Sequence, residues 1–232
     1  MRRMGSVRFT ELFEQGRDAC LSDRTSCQEP PEEDGGRWGL TVALRPDPSV
    51  ALRMERLTAE AMTVAGDSHW PTGGAVSSHF TVRTLERYRR GIREDERLLR
   101  YRAAIRTAAG RVGTVRLELT GLTLTPASVM LCASPSGEAA EQFAEHLAED
   151  LADDGWFEAG FRRDIWYANL VHFTGPLANP QALVDWVDAR RGLALGASVH
   201  SCVHLVAWSF DGRRMVPETL GKADLGTPSA TR

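Results

Sequence analysis

The chain has 232 residues, 42% of them hydrophobic and 25% charged, with a net charge of -3. That length suits one domain or two small ones packed closely, and that composition excludes collagen-like, mucin-like and wholly disordered classes. A protein gripping long nucleic acid through its phosphates shows a basic surplus, which is absent here. A small ligand is the better first expectation, with no long duplex as partner. The 28 basic residues include a single lysine, Lys222, so arginine usage reads as composition rather than as a phosphate code.

Residues 1–36 read as a unit apart. A charged start, MRRMGSVRFTELFEQGRD, carries no apolar stretch of a secretory signal. A short amphipathic stretch with Phe9, Leu12, Phe13, Cys20 and Leu21 then meets a polar run with two prolines and two glycines, which reads as an acidic linker. The compact body is expected over 37–220, with a flexible tail over 221–232. Strands are expected over 37–46, from 79, over 115–126, 127–134, 166–175 and 198–210, and over 213–217 after an Asp-Gly turn at 211–212. Helices are expected over 48–66, 94–110, 137–155 and 179–192. Their signals are Pro48 with Gly66, acidic residues before 97, the four-residue spacing of Phe143, Leu147 and Leu151, and Asn179 with Pro180. The fold class is α+β, with mixed sheets.

The cysteines at 20, 27, 132 and 202 form no C-x-x-C pair and complete no zinc spacing. No apolar run approaches the ~20 residues that cross a membrane. Free thiols, a cytoplasmic location, no membrane partner, no metal and no cofactor are the expectations.

One echo carries chemistry. His79-Phe80-Thr81 and His172-Phe173-Thr174 repeat the same triplet 93 residues apart, each in a strand-like segment. Alternation puts His and Thr on one face and Phe on the other. Two such strands side by side would bring two imidazoles and two hydroxyls to one groove. One imidazole can take a proton from the attacking oxygen and the other can give one to the leaving oxygen. The threonine hydroxyls can hold the phosphate oxygens.

On these two triplets the chain resembles the 2H phosphoesterase superfamily, which includes 2'-5' RNA ligase-like proteins and cyclic nucleotide phosphodiesterases. The resemblance spans roughly 37–217. It implies two pseudo-symmetric α/β lobes, with mainly antiparallel sheets flanking a central groove. It implies His79 and His172 as the acid–base pair, Thr81 and Thr174 as phosphate holders, and a nucleotide or RNA-end substrate. The expected activity is metal-independent opening of a 2',3'-cyclic phosphate, or cleavage or formation of a 2'-5' phosphodiester. Gly175 departs from the family pattern, where an apolar residue is usual. A non-catalytic nucleotide-binding module on the same fold, and a tailoring enzyme for a small phosphorylated metabolite, are the alternatives.

Arg83 shares the strand face of His79 and Thr81 and is a candidate substrate contact. Trp70 can stack on a base from a loop or anchor that loop by burial. His200 and His204 in one strand would stand about 13 Å apart, too far for one metal. His69 and His146 read as loop and helix-surface residues.

Overall fold

The computed structural model describes residues 2–226, with side chains from residue 7 onward. The chain order is α1 (Arg2–Leu21), β1 (Thr41–Leu44), α2 (Pro48–Ala65), β2 (Trp70–Pro71), β3 (Phe80–Thr84), α3 (Glu96–Gly110), β4 (Val115–Thr125), β5 (Ser128–Pro135), α4 (Ala139–Leu151), a 3-10 segment (Ala152–Glu158), β6 (Trp166–His172), α5 (Pro180–Asp188), β7 (Ala197–His200), β8 (Cys202–Phe210) and β9 (Met215–Asp224). The strands form two sheets, a four-stranded one in the order β3-β1-β8-β9 and a five-stranded one in the order β2-β6-β5-β4-β7. Every pairing is antiparallel. This is the expected α+β class with two sheet lobes, and the motif strands β3 and β6 belong to different sheets rather than lying side by side in one.

Local chemistry explains the helix starts. Asp47 accepts hydrogen bonds from the backbone N–H groups of Ser49 and Val50, with Pro48 opening α2. Asp95 accepts from Leu98 N–H at 2.7 Å, and Asn179 from Ala182 N–H at 3.0 Å. Each helix then buries a stripe spaced for a 3.6-residue turn, such as Val50, Met54, Leu57, Ala61 and Ala65 in α2. α4 ends at Leu151, earlier than expected from sequence. Ala152 turns the chain with φ 45°, and Gly155 sits inside the 3-10 segment rather than at a helix end. The helices cross between lobes. α2 leaves β1 of the four-stranded sheet and packs on β6 and α5, while α4 leaves β5 of the five-stranded sheet and packs on α3. A large core results, with Phe80, Phe143 and Phe173 fully buried in it, and a second, smaller cluster gathers Trp70, Tyr88, Val206, Trp208 and Met215.

The segment 1–36, set apart by composition, is built into this core. α1 lies on β4, with Phe13 at 2% exposure and Cys20 equally buried. Gly16 allows the approach, because a Cβ there would stand 2.6 Å from the Leu124 Cβ. Thr123 Oγ1 donates to the Phe9 carbonyl at 2.9 Å, and the Arg191 guanidinium stacks on Phe13 at 4.2 Å. A linker composition marks exposed side chains, and it cannot report that the backbone is bonded at both ends. Gln28 N–H donates to the Phe173 carbonyl beside the five-stranded sheet, and Tyr88 N–H donates to the Gly35 carbonyl beside the four-stranded one. The strap therefore ties both lobes. Phe13→Ala is expected to lower stability by about 3–5 kcal/mol, as for other buried aromatics cut to alanine. Urea unfolding measures it, and a loss under about 1 kcal/mol would mean that α1 is an appendage after all.

At the other end β9 runs on through Gly221–Asp224, so four residues of the expected tail pair with β8. Residues 227–232 of that tail lie outside the described residues. The hairpin turn at 211–214 is made as expected, with Asp211 Oδ1 accepting from Arg213 and Arg214 N–H at 2.9 Å each. Among the described residues no helix is long and apolar enough to cross a membrane.

Candidate active site

His79 stands immediately before β3, at the edge of the four-stranded lobe, and His172 is the last residue of β6 in the other lobe. His79 leads into β3, whereas Phe173 and Thr174 follow the end of β6. Phe80 and Phe173 point into the core at 0% exposure. The two imidazoles border one cluster of indole rings, which links them across the lobes. Indole rings fill the space between the lobes. The Trp208 ring lies 4.5 Å from that of His79 and 5.5 Å from that of Trp38, and Trp38 stands edge-on to His172 at 5.2 Å.

Burial is the main influence on both imidazoles. It pushes His79 down to about 4, with the nearby Arg45 and Arg163 charges adding to it and a bond to a backbone carbonyl opposing it. It pushes His172 down to about 3, helped by the Arg37 charge and by His79. Both rings are therefore neutral at pH 7 in the free protein. Among the described residues no carboxylate contributes to either shift. The fixed charges that reach them are the three guanidinium groups of Arg37, Arg45 and Arg163, an arrangement that favours an anion. Sequence reasoning did not single out these arginines, because 27 arginines offer no contrast.

The ring nitrogens have defined partners. His79 Nδ1 lies 2.8 Å from the Ser77 carbonyl oxygen. His172 Nδ1 lies 2.6 Å from the Thr72 hydroxyl. Both partners come from the loop 72–78. Thr72 and Gly73 N–H groups donate to the Leu170 carbonyl of β6 at 2.9 Å each, and the Ser77 hydroxyl closes the loop on the Thr72 carbonyl at 2.8 Å. Gly73 is obligatory there, since a Cβ would stand 2.2 Å from Thr58 Oγ1. Thr72 was missed in the sequence, where it looks like any loop threonine; its separation of 100 residues from His172 leaves no local signal.

The two motif threonines differ. Thr81 makes no side-chain hydrogen bond among the described residues and stays half-buried, so its hydroxyl can donate to a ligand oxygen. Thr174 lies beyond the end of β6, and its hydroxyl donates to the Ser68 carbonyl at 2.6 Å. Its single proton is engaged there, which leaves the oxygen only as an acceptor in this arrangement. Gly175 meets nothing within reach of a Cβ, so the space beside it is open.

Arg83 is 8% exposed and its Nη2 donates to the carbonyls of Gly155 and Glu158, at 3.2 and 2.8 Å. It clamps β3 to the 3-10 segment. Trp70 is 5% exposed in β2, paired in register with His172 and packed 4.8 Å from the Phe210 ring. It is buried beside His172, in a strand rather than a loop. Trp38 was not singled out in the sequence. It holds a left-handed backbone, φ 64°, at the end of the strap, and its indole N–H is buried with no protein partner. That leaves a donor beside His172.

The remaining histidines are held in place structurally. His69 Nε2 bonds the Ala65 carbonyl at 3.1 Å, and its Nδ1 accepts from Thr174 N–H at 3.2 Å, which uses both nitrogens. His200 ends β7 and His204 lies in β8, so they belong to two sheets and not to one strand as read from sequence. Ser201 breaks the run between them. Among the described residues no group of three or more His, Cys, Asp or Glu stands where it could hold a metal.

Solved structures share this architecture. A Thermus thermophilus protein, TT0787, superposes with a TM-score of 0.62 at 16% identity, covering 83% of this chain and 99% of that one. A structure described as a phosphoesterase gives 0.56 at 17% identity, over 82% and 99%. E. coli LigT complexed with 3'-AMP gives 0.56 at 16% identity, again over 82% and 99%. No family model matches the sequence, and no curated protein matches it.

Proposed function

We propose that this chain, which has the two-lobed fold of the 2H phosphoesterases, hydrolyses a phosphodiester of a nucleotide or RNA end by two-histidine acid–base catalysis. A 2',3'-cyclic phosphate or a 2'-5' linkage is the substrate class. The observation that carries the reading is that His79 and His172, from two different sheets, border one cluster of indole rings. The likeness to LigT, solved with 3'-AMP and with ATP, supports a nucleotide ligand.

In this reading the anionic phosphate sits among Arg37, Arg45 and Arg163. Thr81 and the Trp38 N–H supply hydrogen bonds to its non-bridging oxygens, where charge builds in the transition state. Thr174 joins them once its hydroxyl turns from Ser68. One histidine removes the proton of the attacking water and the other protonates the leaving sugar oxygen, so both proton transfers come from the chain itself. Trp38, Trp70 and Trp208 wall the site with apolar area beside the two histidines.

The test is a 31P NMR assay on 2',3'-cyclic AMP and ADP-ribose 1'',2''-cyclic phosphate with EDTA present. A ring-opened monophosphate is the expected product, and the position of its phosphate shows which bond breaks. Binding of both compounds without any product would replace this reading with that of a nucleotide-binding module.

A further inference from the structure

We propose that the 72–78 loop fixes opposite tautomers in the two histidines, through the Ser77 carbonyl and the Thr72 hydroxyl, so that His79 is the general base and His172 the general acid. The assignment of roles rests on the phosphodiesterase reading; the assignment of tautomers rests on the hydrogen bonds alone.

A carbonyl oxygen can only accept. The 2.8 Å bond from His79 Nδ1 to the Ser77 oxygen therefore places a proton on Nδ1, in the neutral and in the charged ring alike. The neutral ring then has a bare Nε2, which is the form a base needs. A hydroxyl can donate or accept. The Thr72 proton has two candidate acceptors, His172 Nδ1 at 2.6 Å and the Trp70 carbonyl at 3.5 Å. Only the first lies within the ordinary range for a hydroxyl donor, so Thr72 donates to Nδ1 and the neutral His172 carries its proton on Nε2. Thr72 is 5% exposed, and water does not compete for that bond.

The hydroxyl also suits an acid in its charged form. When His172 gains a second proton, Nδ1–H becomes a donor, and the Thr72 hydroxyl turns to accept from it. No such reversal is open to Ser77. In turnover the water proton passes to His79 Nε2 while the water oxygen bonds to phosphorus. The bond from phosphorus to the sugar oxygen breaks, and that oxygen takes the Nε2 proton of His172, which has first taken a second proton from solvent as the bound phosphate anion raises its affinity for one. His79 then returns a proton to solvent, so that one water and one diester give one monoester and one alcohol. Thr72 touches no reacting atom and is a positioning residue.

The test begins with the full chain labelled with 15N at histidine, at neutral pH. Long-range 1H–15N correlations read which ring nitrogen is protonated, and His79→Ala and His172→Ala identify the two rings. The expected result is Nδ1–H for His79 and Nε2–H for His172. Thr72→Val is expected to mix the two forms of His172 and leave His79 unchanged, and Thr72→Ser to keep the native form. In kinetics, Thr72→Val is expected to slow 2',3'-cyclic AMP by on the order of 10-fold or more, within the 10²–10⁴ that a general acid supplies. It should slow bis(p-nitrophenyl) phosphate far less, because nitrophenolate leaves without a proton. Nδ1–H on His172 in the native protein, or equal losses on both diesters, overturns the proposal. Inertness of the native protein toward both diesters removes the phosphodiesterase reading and with it the roles, while the spectrum still decides the tautomers.

Discussion

Replacing either His79 or His172 by alanine is expected to cut phosphodiester turnover by on the order of 10²–10⁴, the usual contribution of a positioned acid or base. Each histidine serves a proton transfer that no neighbouring side chain can take over, since the nearby titratable groups are arginines, which hold their protons. The fold should survive both changes. His172→Ala leaves the buried Thr72 hydroxyl without its ring partner, at a cost of about 1–3 kcal/mol. That is below the ~5–15 kcal/mol by which domains are stable. His79→Ala loses one bond to a carbonyl at a half-buried position and should cost less. Because the two act on one bond-breaking event, the double variant should lose far less than the product of the single losses. Single and double variants assayed on 2',3'-cyclic AMP, with circular dichroism as the folding control, decide it. A single variant that retains more than about a third of native kcat/KM, against a loss of 10² or more, takes that histidine out of the chemistry.

The second large effect is on stability in acid. Burial drives His79 to about 4, His172 to about 3 and His200 to about 4, whereas in the unfolded chain each titrates near 6.5. For His200 the burial dominates over the bond to the Arg45 carbonyl and the Asp47 charge that oppose it. The unfolded state therefore binds more protons than the folded state between pH 6.5 and about 4. Stability rises with pH across that window and is lost as pH falls through it. Each histidine withdraws on the order of a few kcal/mol once the pH is below its folded value. Together they are expected to unfold the protein above pH 4, before the stabilised carboxylates Asp47, Asp154 and Asp211 begin to titrate below 3.8. Urea titrations at a series of pH values measure the slope. His200→Asn, at a ring packed on the core side of Phe80, should make that slope shallower between pH 6.5 and 4. A stability that stays flat over that window would show that the three rings are already solvated. An anion seated among Arg37, Arg45 and Arg163 should oppose the same shift, so 3'-AMP is expected to raise the apparent value of His172 in an NMR titration.

The chain's local signals fixed much of this protein. Pro48 and Asp47, Asp95, and Asn179 with Pro180 mark helix starts that the structure keeps, because a cap is satisfied within three residues. The alternation in 115–126 and the Asp211-Gly212 turn gave strands and a hairpin for the same reason. The repeated His-Phe-Thr triplets pointed to two buried phenylalanines; the pleat of β3 accounts for Phe80, while Phe173 is buried just past the end of β6.

Other features were decided only by the tertiary structure. α1 reads as a weakly amphipathic extension, and its burial depends on Gly16 meeting Leu124, 108 residues away. The acidic run looks like a linker, yet its backbone bonds to both lobes and delivers Trp38 beside His172. Arg83 shares a strand face with His79 by alternation, but its long side chain reaches the 3-10 segment instead. Thr174 was placed by assuming that β6 continues, and the strand stops at His172. Thr72 orients His172 across 100 residues of sequence. Capping, pleat and turn chemistry act between neighbours and are written in the local sequence. Which nitrogen of an imidazole keeps its proton depends on a partner brought in by the packing of two sheets, and only the folded chain supplies it.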